Sequence, residues 1–158
     1  MNISGLVLPY PVSANRYWAT RCYRVKGTRN TWRAMTYVTK EAEAYRDQVK
    51  ALVRAYGVMA PIEGRVTVGI RLYPHRPLDW KLRMRKYGDC WDDTVQCIDA
   101  GNCEKVMSDA LQGVAISNDA LFRKLVIERM EPDGGGKRLV LWVEAIAPRV
   151  YQQELLEA

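Results

Sequence analysis

The chain has 158 residues, a length typical of one domain, and 48% of them are hydrophobic, which is enough for a buried core. Its formal net charge of +6 favours a polyanionic partner, above all a nucleic acid. No apolar run approaches the roughly 20 residues that span a bilayer, and the start does not resemble a signal peptide, so we expect a soluble cytoplasmic protein with no membrane partner. The four cysteines and the single histidine do not have the spacing of a structural zinc site, so we expect reduced thiols.

The first third of the chain predicts one strand, an irregular segment and a long helix. Residues 3–11 form a strand that two prolines end, and residues 13–33 form a basic, aromatic loop or an irregular hairpin, followed by a short strand at 34–38. Helix 40–57 has apolar residues at helical spacing, and Thr39 precedes it as a candidate N-cap.

The middle of the chain predicts a strand, a long connection and a second helix. Residues 64–74 alternate between apolar and polar side chains, as a half-buried strand does. Residues 75–93 are charged and contain tryptophan, and we interpret them as a basic insertion loop whose length indicates a functional or mobile segment. Residues 102–112 form the second helix.

Two further strands complete the prediction. They cover 121–131 and 138–146, and the glycine-rich turn at 133–137 predicts that they pair as a hairpin. The order of elements predicts an α+β fold, a single domain with a mixed or antiparallel sheet and two main helices packed on it. The domain covers residues 1–147, and 148–158 form a C-terminal tail that is a short helix or frayed.

Carboxylates and a lysine surround the second helix. Asp99 precedes it, Lys105 and Asp109 lie on it, and Asp119 follows in the next loop. Carboxylate oxygens are the ligands that Mg²⁺ prefers, and a nearby lysine can face a phosphate. These acids form a metal site if the loop folds back beside the helix start. The alternative is an ordinary solvated helix.

Two basic segments favour a phosphodiester substrate. The stretch from 71 to 86 supplies six cations against the single acid Asp79, namely Arg71, Arg76, Lys81, Arg83, Arg85 and Lys86. The segment 13–33 adds further cations interleaved with tyrosine and tryptophan rings, which can stack on unpaired bases. The alternative is a solvated loop whose rings pack on the core.

Three segments together resemble the RusA family of Holliday-junction resolvases. They are 8-LPYPVSANRYW-18, 41-EAEAYRDQV-49 and 97-CIDAGNCEKVMSDALQGVAISND-119, and the third is the specific one. The resemblance covers about residues 5 to 146. It implies a small homodimeric, Mg²⁺-dependent endonuclease, in which Mn²⁺ is a possible substitute. Such an enzyme cuts two strands of a four-way DNA junction symmetrically, in recombination and repair.

The resemblance also implies site residues. Asp99, Lys105 and Asp119 match catalytic positions, and Asp99 and Asp119 match metal ligands. Asn102 and Asp109 match two further motif positions. Asn15 and Arg16, in the matching Asn-Arg-Tyr run, join the six cations of 71–86 as expected DNA contacts.

Two positions depart from the family pattern. Gly101 stands where the family usually has a second Asp, and Asn118 stands where the first acid of a pair is common. Asp109 or Asp93 is the candidate replacement for the missing ligand. Because of Gly101 we also keep two alternatives: a catalytically impaired protein that binds branched DNA, and a metal-dependent nuclease for other branched DNA.

Overall fold

The computed structural model describes residues 2–147, which contain six strands and four α-helices. In chain order these are β1 (Ile3–Pro9), α1 (Ala14–Tyr17), β2 (Trp18–Arg24), β3 (Trp32–Val38), α2 (Lys40–Ala55), β4 (Val66–Tyr73), α3 (Trp80–Tyr87), α4 (Ala100–Leu111), β5 (Phe122–Arg129) and β6 (Arg138–Ala145). Two 3-10 segments, Gly88–Thr94 and Asp119–Leu121, precede α4 and β5. The tail predicted at 148–158 lies outside the described residues.

The central sheet has four strands in the order β1-β6-β4-β5. β4 and β5 are parallel, whereas β6 is antiparallel to both β1 and β4. The predicted hairpin between the last two strands is therefore wrong, because β4 lies between them. Leu139, Leu141 and Val143 of β6 are fully buried, which suits a central strand. No side chain of β5 is fully buried, which suits an edge.

The core lies between one face of this sheet and the helices α2 and α4. α2 buries Ala42, Tyr45, Val49 and Val53, and α4 buries Cys103, Val106, Met107, Ala110 and Leu111. The sheet meets them with the alternating apolar residues of β4, which are Val66, Val68, Ile70 and Leu72. The α+β fold, with a mixed sheet and two main helices in one compact domain, is thus confirmed.

The segment 13–33 begins with the short helix α1 and continues as a hairpin. β2 and β3 form a separate two-stranded antiparallel sheet, in which Trp18 pairs with Val38 and Arg24 with Trp32. The hairpin alternative is therefore the observed one, and the strand predicted at 34–38 begins earlier, at Trp32. Most of this hairpin is exposed.

The segment 75–93 is largely helical, so its interpretation as a loop is wrong. α3 buries none of its side chains, and for that reason it lacks the apolar stripe by which a helix is recognised in a sequence. Trp91 holds the segment in place, since it is buried and its Nε1 donates to a Glu131 carboxylate oxygen at 2.9 Å. Arg83 donates to the Thr94 carbonyl oxygen, also at 2.9 Å.

No helix within residues 2–147 combines the length and the apolar character needed to cross a bilayer.

Candidate metal site and nucleic-acid interface

Asp99 is the N-cap of α4. Its Oδ1 accepts a hydrogen bond from the backbone N–H of Asn102 at 2.8 Å, and its Oδ2 accepts one from the Asn102 side-chain amide. The backbone N–H of Asn102, supported by its amide and by the charge of Lys105, lowers the pKa of Asp99. The carboxylate is therefore ionised, as a metal ligand must be.

The end of β1 positions Asp99. Tyr10 follows β1, and its hydroxyl accepts the backbone N–H of Ile98 at 2.9 Å and lies 3.1 Å from the Sγ of Cys97. Burial raises the pKa of Tyr10, so its hydroxyl stays neutral. This contact links the residues just before α4 to the end of β1 in the central sheet.

A groove of about 850 Å³ opens in front of Asp99. It is lined by the turn after β1, the first turn of α2, and the segment that leads into α4. Three residues predicted to contact nucleic acid line the same groove, namely Asn15, Arg16 and Arg83. The ionised carboxylate of Asp99 thus lies in a groove that also holds cations and the Glu41 carboxylate, and a metal-bound phosphodiester needs both kinds of group.

Two further polar residues of the groove, His75 and Lys137, were missed in the sequence. His75 follows the end of β4, and Lys137 precedes the start of β6. Arg138, at the start of β6, pairs with Tyr73 of β4 on one side and with Pro9 of β1 on the other. The ends of β1 and β4 and the start of β6 therefore meet at the same end of the sheet. His75 and Lys137 come together only through the order of the strands, and no pattern in the sequence predicts that order.

The other five predicted cations lie outside this groove's lining. Arg71 pairs with Glu128 at 2.8 Å, and Arg76 stacks over the ring of Trp80 at 4.7 Å. Lys81 lies near the same ring, Lys86 lies near Tyr87, and Arg85 is exposed on α3. Arg76, Lys81, Arg85 and Lys86 thus lie on or just before α3, whereas Arg71 lies on β4.

Lys105 is exposed on α4, and its charge contributes to the lowered pKa of Asp99. Gly101 lies between them in the first turn of the helix. A Cβ built on Gly101 would lie 3.6 Å from Asp99 Oδ1, which is ordinary van der Waals contact. The backbone therefore has room for a side chain at 101, and the structure imposes no glycine there.

Asp109 lies at the opposite end of α4, about 15 Å from Asp99 along an axis that rises 1.5 Å per residue. Its Oδ2 accepts a hydrogen bond from the Tyr17 hydroxyl and lies 3.7 Å from Arg46 Nε. Burial and the hydrogen bond to Asp109 raise the pKa of Tyr17, so this tyrosine stays a donor. Within one protomer, the structure does not bring Asp109 to Asp99.

Asp119 lies at the opposite end of the central sheet, where β4 and β5 start. It begins the 3-10 segment before β5, and Phe122 pairs with Val66 where β4 starts. Asp99 lies near the end of the sheet where β1 and β4 finish. The two acids are therefore separated by about the length of an eight-residue strand, which is about 25 Å. Asn118 Oδ1 accepts the Ala120 N–H at 2.8 Å and caps this segment.

Asp93 is exposed in the 3-10 segment Gly88–Thr94, which runs from α3 towards the groove. Among residues 2–147, no three histidine, cysteine, aspartate or glutamate side chains form a group that could hold a metal ion. A single protomer thus offers two carboxylates in the groove, those of Asp99 and Glu41, and Glu41 already pairs with Arg16 at 2.8 Å.

A comparison with known protein families finds a match for most of the chain. A sequence model described as endodeoxyribonuclease RusA matches residues 9–144, which is most of the chain. No curated protein matches the chain significantly. The matched range contains the groove, Asp99, Lys105 and Asp119. The chain therefore belongs to the RusA endodeoxyribonuclease family.

Proposed function

We propose that the protein is a divalent-metal-dependent endonuclease that resolves four-way DNA junctions by paired, symmetric cuts during recombination and repair. The observation that carries the proposal is the ionised Asp99 at the start of α4, in a groove lined by Asn15, Arg16 and Arg83. Mg²⁺ is the proposed ion, with Mn²⁺ as a substitute. Membership of the RusA family supports the nuclease class.

The groove residues fit a hard divalent cation. Mg²⁺ binds proteins through one or two carboxylates and keeps several waters, and Asp99 supplies one carboxylate whose oxygens have unused lone pairs. When bound, the ion supplies an activated water and neutralises charge on the scissile phosphate. Lys105, exposed on α4 and outside the groove lining, would face the developing charge on the phosphate in this proposal, and the groove cations would hold the DNA backbone.

The second carboxylate comes from a second copy of the chain in this proposal. Asp99 and Asp119 lie at opposite ends of the strands in one protomer's sheet, so one protomer cannot place both on one ion. A two-fold homodimer can pair Asp99 with Asp119 of the partner subunit, and symmetry then forms two equivalent sites. A site that is complete only in the dimer would couple cleavage to the symmetric binding of a junction.

Asp109 and Asp93 stay predictions of the sequence as further metal ligands. Asp93 is exposed and borders the segment that leads to the groove. Asp109 already interacts with Tyr17 and Arg46. The cations Arg76, Lys81, Arg85 and Lys86 extend the proposed DNA contacts along α3, and Arg71 adds one on β4.

Incubation with a synthetic four-way junction and with a linear duplex of matched sequence, with and without Mg²⁺, tests the proposal. We expect paired, symmetric, Mg²⁺-dependent cuts in the junction and none in the duplex. The Asp99→Asn variant is the matched control, because asparagine caps a helix as well as aspartate does. The variant should bind the junction and leave it uncut.

Two other results would contradict the proposal in different ways. Tight binding of the junction without cleavage in Mg²⁺ or Mn²⁺ would identify a binding protein whose metal site was lost at Gly101. Metal-dependent cleavage of flaps or forks, with the four-way junction left uncut, would identify a nuclease for other branched DNA.

A further inference from the structure

The β2–β3 hairpin, residues 18–38, is an arm that the core does not explain. Its strands pair with each other in a sheet of their own, and seven paired residues extend for about 24 Å. Five of the seven β2 residues and six of the seven β3 residues are exposed. An isolated two-stranded hairpin is marginally stable in water, so an arm of this length is expected to have a partner.

The two faces of the arm differ in character. In the register, Tyr37 pairs with Ala19, Met35 with Arg21 and Arg33 with Tyr23, and pairs at alternating positions share a face. We call Arg21, Tyr23, Arg33, Met35 and Tyr37 the basic arm face. The opposite face carries smaller side chains at its centre, which are Thr20, Cys22, Ala34 and Thr36.

The basic arm face exposes rings and cations together. Tyr23 is 43% exposed and Tyr37 is 42% exposed, and the guanidinium of Arg21 lies 5.9 Å from the Tyr37 ring centroid. Residues 18–38 contain no aspartate or glutamate and five cations, namely Arg21, Arg24, Lys26, Arg29 and Arg33. A second copy of the same face would bring arginines together, so self-association through this face is unfavourable.

The arm begins at the rim of the groove that contains Asp99. Thr39, directly after β3, donates from Oγ1 to the Arg16 carbonyl oxygen at 2.7 Å and from its N–H to the Tyr17 carbonyl oxygen at 2.9 Å. Arg16 itself lines the groove and pairs with Glu41 at 2.8 Å. DNA that enters the groove therefore passes the base of the arm, whose length matches about seven base pairs.

We propose that the basic arm face is a second DNA-binding surface, which binds the junction next to the cleavage groove. Arg21 and Arg33 bind backbone phosphates, and Tyr23 and Tyr37 stack against bases that are unpaired at the branch point. This inference rests on the proposed function, because it takes a branched DNA as the molecule in the groove. DNA fits better than an acidic protein, because each strand of the basic arm face carries one arginine and one tyrosine.

The test is the affinity for a labelled four-way junction in EDTA, measured by fluorescence anisotropy over a range of salt concentrations. The arm variant is Arg21→Gln with Arg33→Gln. The control variant is Lys50→Gln with Arg65→Gln, which removes the same charge from exposed positions on α2 and before β4. Thermal melting and molar mass by light scattering are measured for both variants.

We expect the arm variant to bind the junction at least about tenfold more weakly at low salt. Its slope of log affinity against log salt should be smaller by nearly two, since each lost phosphate contact removes about 0.9. The control should stay within about twofold of the wild type. Equal losses in both variants would reduce the effect to net charge and overturn the proposal, as would wild-type affinity in the arm variant. A changed molar mass would make the arm a dimer contact instead.

A second variant tests the rings separately. Tyr23→Ala with Tyr37→Ala should weaken binding to the four-way junction more than binding to a linear duplex, because the duplex has no unpaired bases. Equal weakening of both would overturn the stacking role. If the wild type cleaves junctions and the arm variants bind normally, the inference alone fails. If the wild type binds no branched DNA, the proposed function fails with it.

Discussion

The two ends of α4 carry the same side chain in opposite surroundings. Asp99, at the amino end, is an exposed N-cap in a groove with Arg16 and Arg83. Asp109, in the last turn, is half-buried and interacts with the Tyr17 hydroxyl and Arg46. One acid is available to a ligand and the other is engaged within the protein.

We propose that this difference separates an aspartate used in the chemistry from one that stabilises the fold. Both aspartates match positions of the family pattern, so the sequence alone does not distinguish their roles. From their contacts we propose a catalytic role for Asp99 and a packing role for Asp109. The variants below test that division, from the largest expected effect on cleavage to the smallest.

Asp99→Asn should reduce junction cleavage by about 100-fold or more. The substitution keeps the helix cap but removes the charge that attracts a divalent cation, and each ~1.4 kcal/mol of lost transition-state stabilisation is tenfold in rate. Junction binding in EDTA should be unchanged or tighter, because a negative charge leaves the groove. Asp47→Asn, on the exposed face of α2, is the control. Lost binding would instead indicate misfolding.

Lys105→Ala should lower the single-turnover cleavage rate by about 10- to 100-fold and junction affinity by much less. A cation that acts on the transition state affects the rate of the bound complex, whereas a phosphate anchor affects affinity. Rates at saturating protein and anisotropy in EDTA separate the two, with Lys50→Ala as the control. Equal losses of rate and affinity would make Lys105 an ordinary anchor.

Gly101→Asp should lower the Mg²⁺ concentration needed for half-maximal cleavage by roughly tenfold. The new carboxylate would lie beside Asp99, and a charge about 4 Å away contributes at least ~1 kcal/mol even in water. A Mg²⁺ titration of the cleavage rate measures the change. Gly101→Asn, similar in shape and uncharged, is the control. An equal shift in the asparagine variant would show that charge is not the cause.

Asp109→Ala should leave cleavage at 20 °C within about twofold and lower stability instead. It leaves the buried Tyr17 hydroxyl without its carboxylate acceptor, which costs about 2 kcal/mol and lowers Tm by about 4–8 °C in a chain of this size. Differential scanning calorimetry measures this change. Adding Tyr17→Phe should recover most of the loss. Abolished cleavage with an unchanged Tm would instead identify Asp109 as a metal ligand.

Local patterns predicted most of the elements but not their arrangement. Thr39 caps α2 as predicted, and the alternation in β4 marked a strand with one buried face. The order of strands follows from pairing between distant segments, so the sequence alone suggested a hairpin where β4 intervenes. α3 has no buried side chain and therefore no apolar stripe.

The candidate site was predictable only residue by residue. The motif around α4 predicts Asp99, Lys105 and Asp119 as site residues, and these stay predictions. The structure places Asn15, Arg16 and Arg83 in the same groove as Asp99. The distance between Asp99 and Asp119 depends on the end of the sheet at which each of them lies. That property belongs to the topology, and no spacing in the sequence contains it.

Subunit complementation tests the central claim most directly, that Asp99 acts with Asp119 of the partner subunit. Asp99→Asn and Asp119→Asn proteins are each expected to be inactive, and they are mixed under conditions that exchange subunits. The account predicts that mixing restores single, unpaired nicks in the junction at about a quarter of the wild-type sites, because half the dimers then contain one intact site. No cleavage after verified exchange would place both acids in one protomer's site and contradict the account.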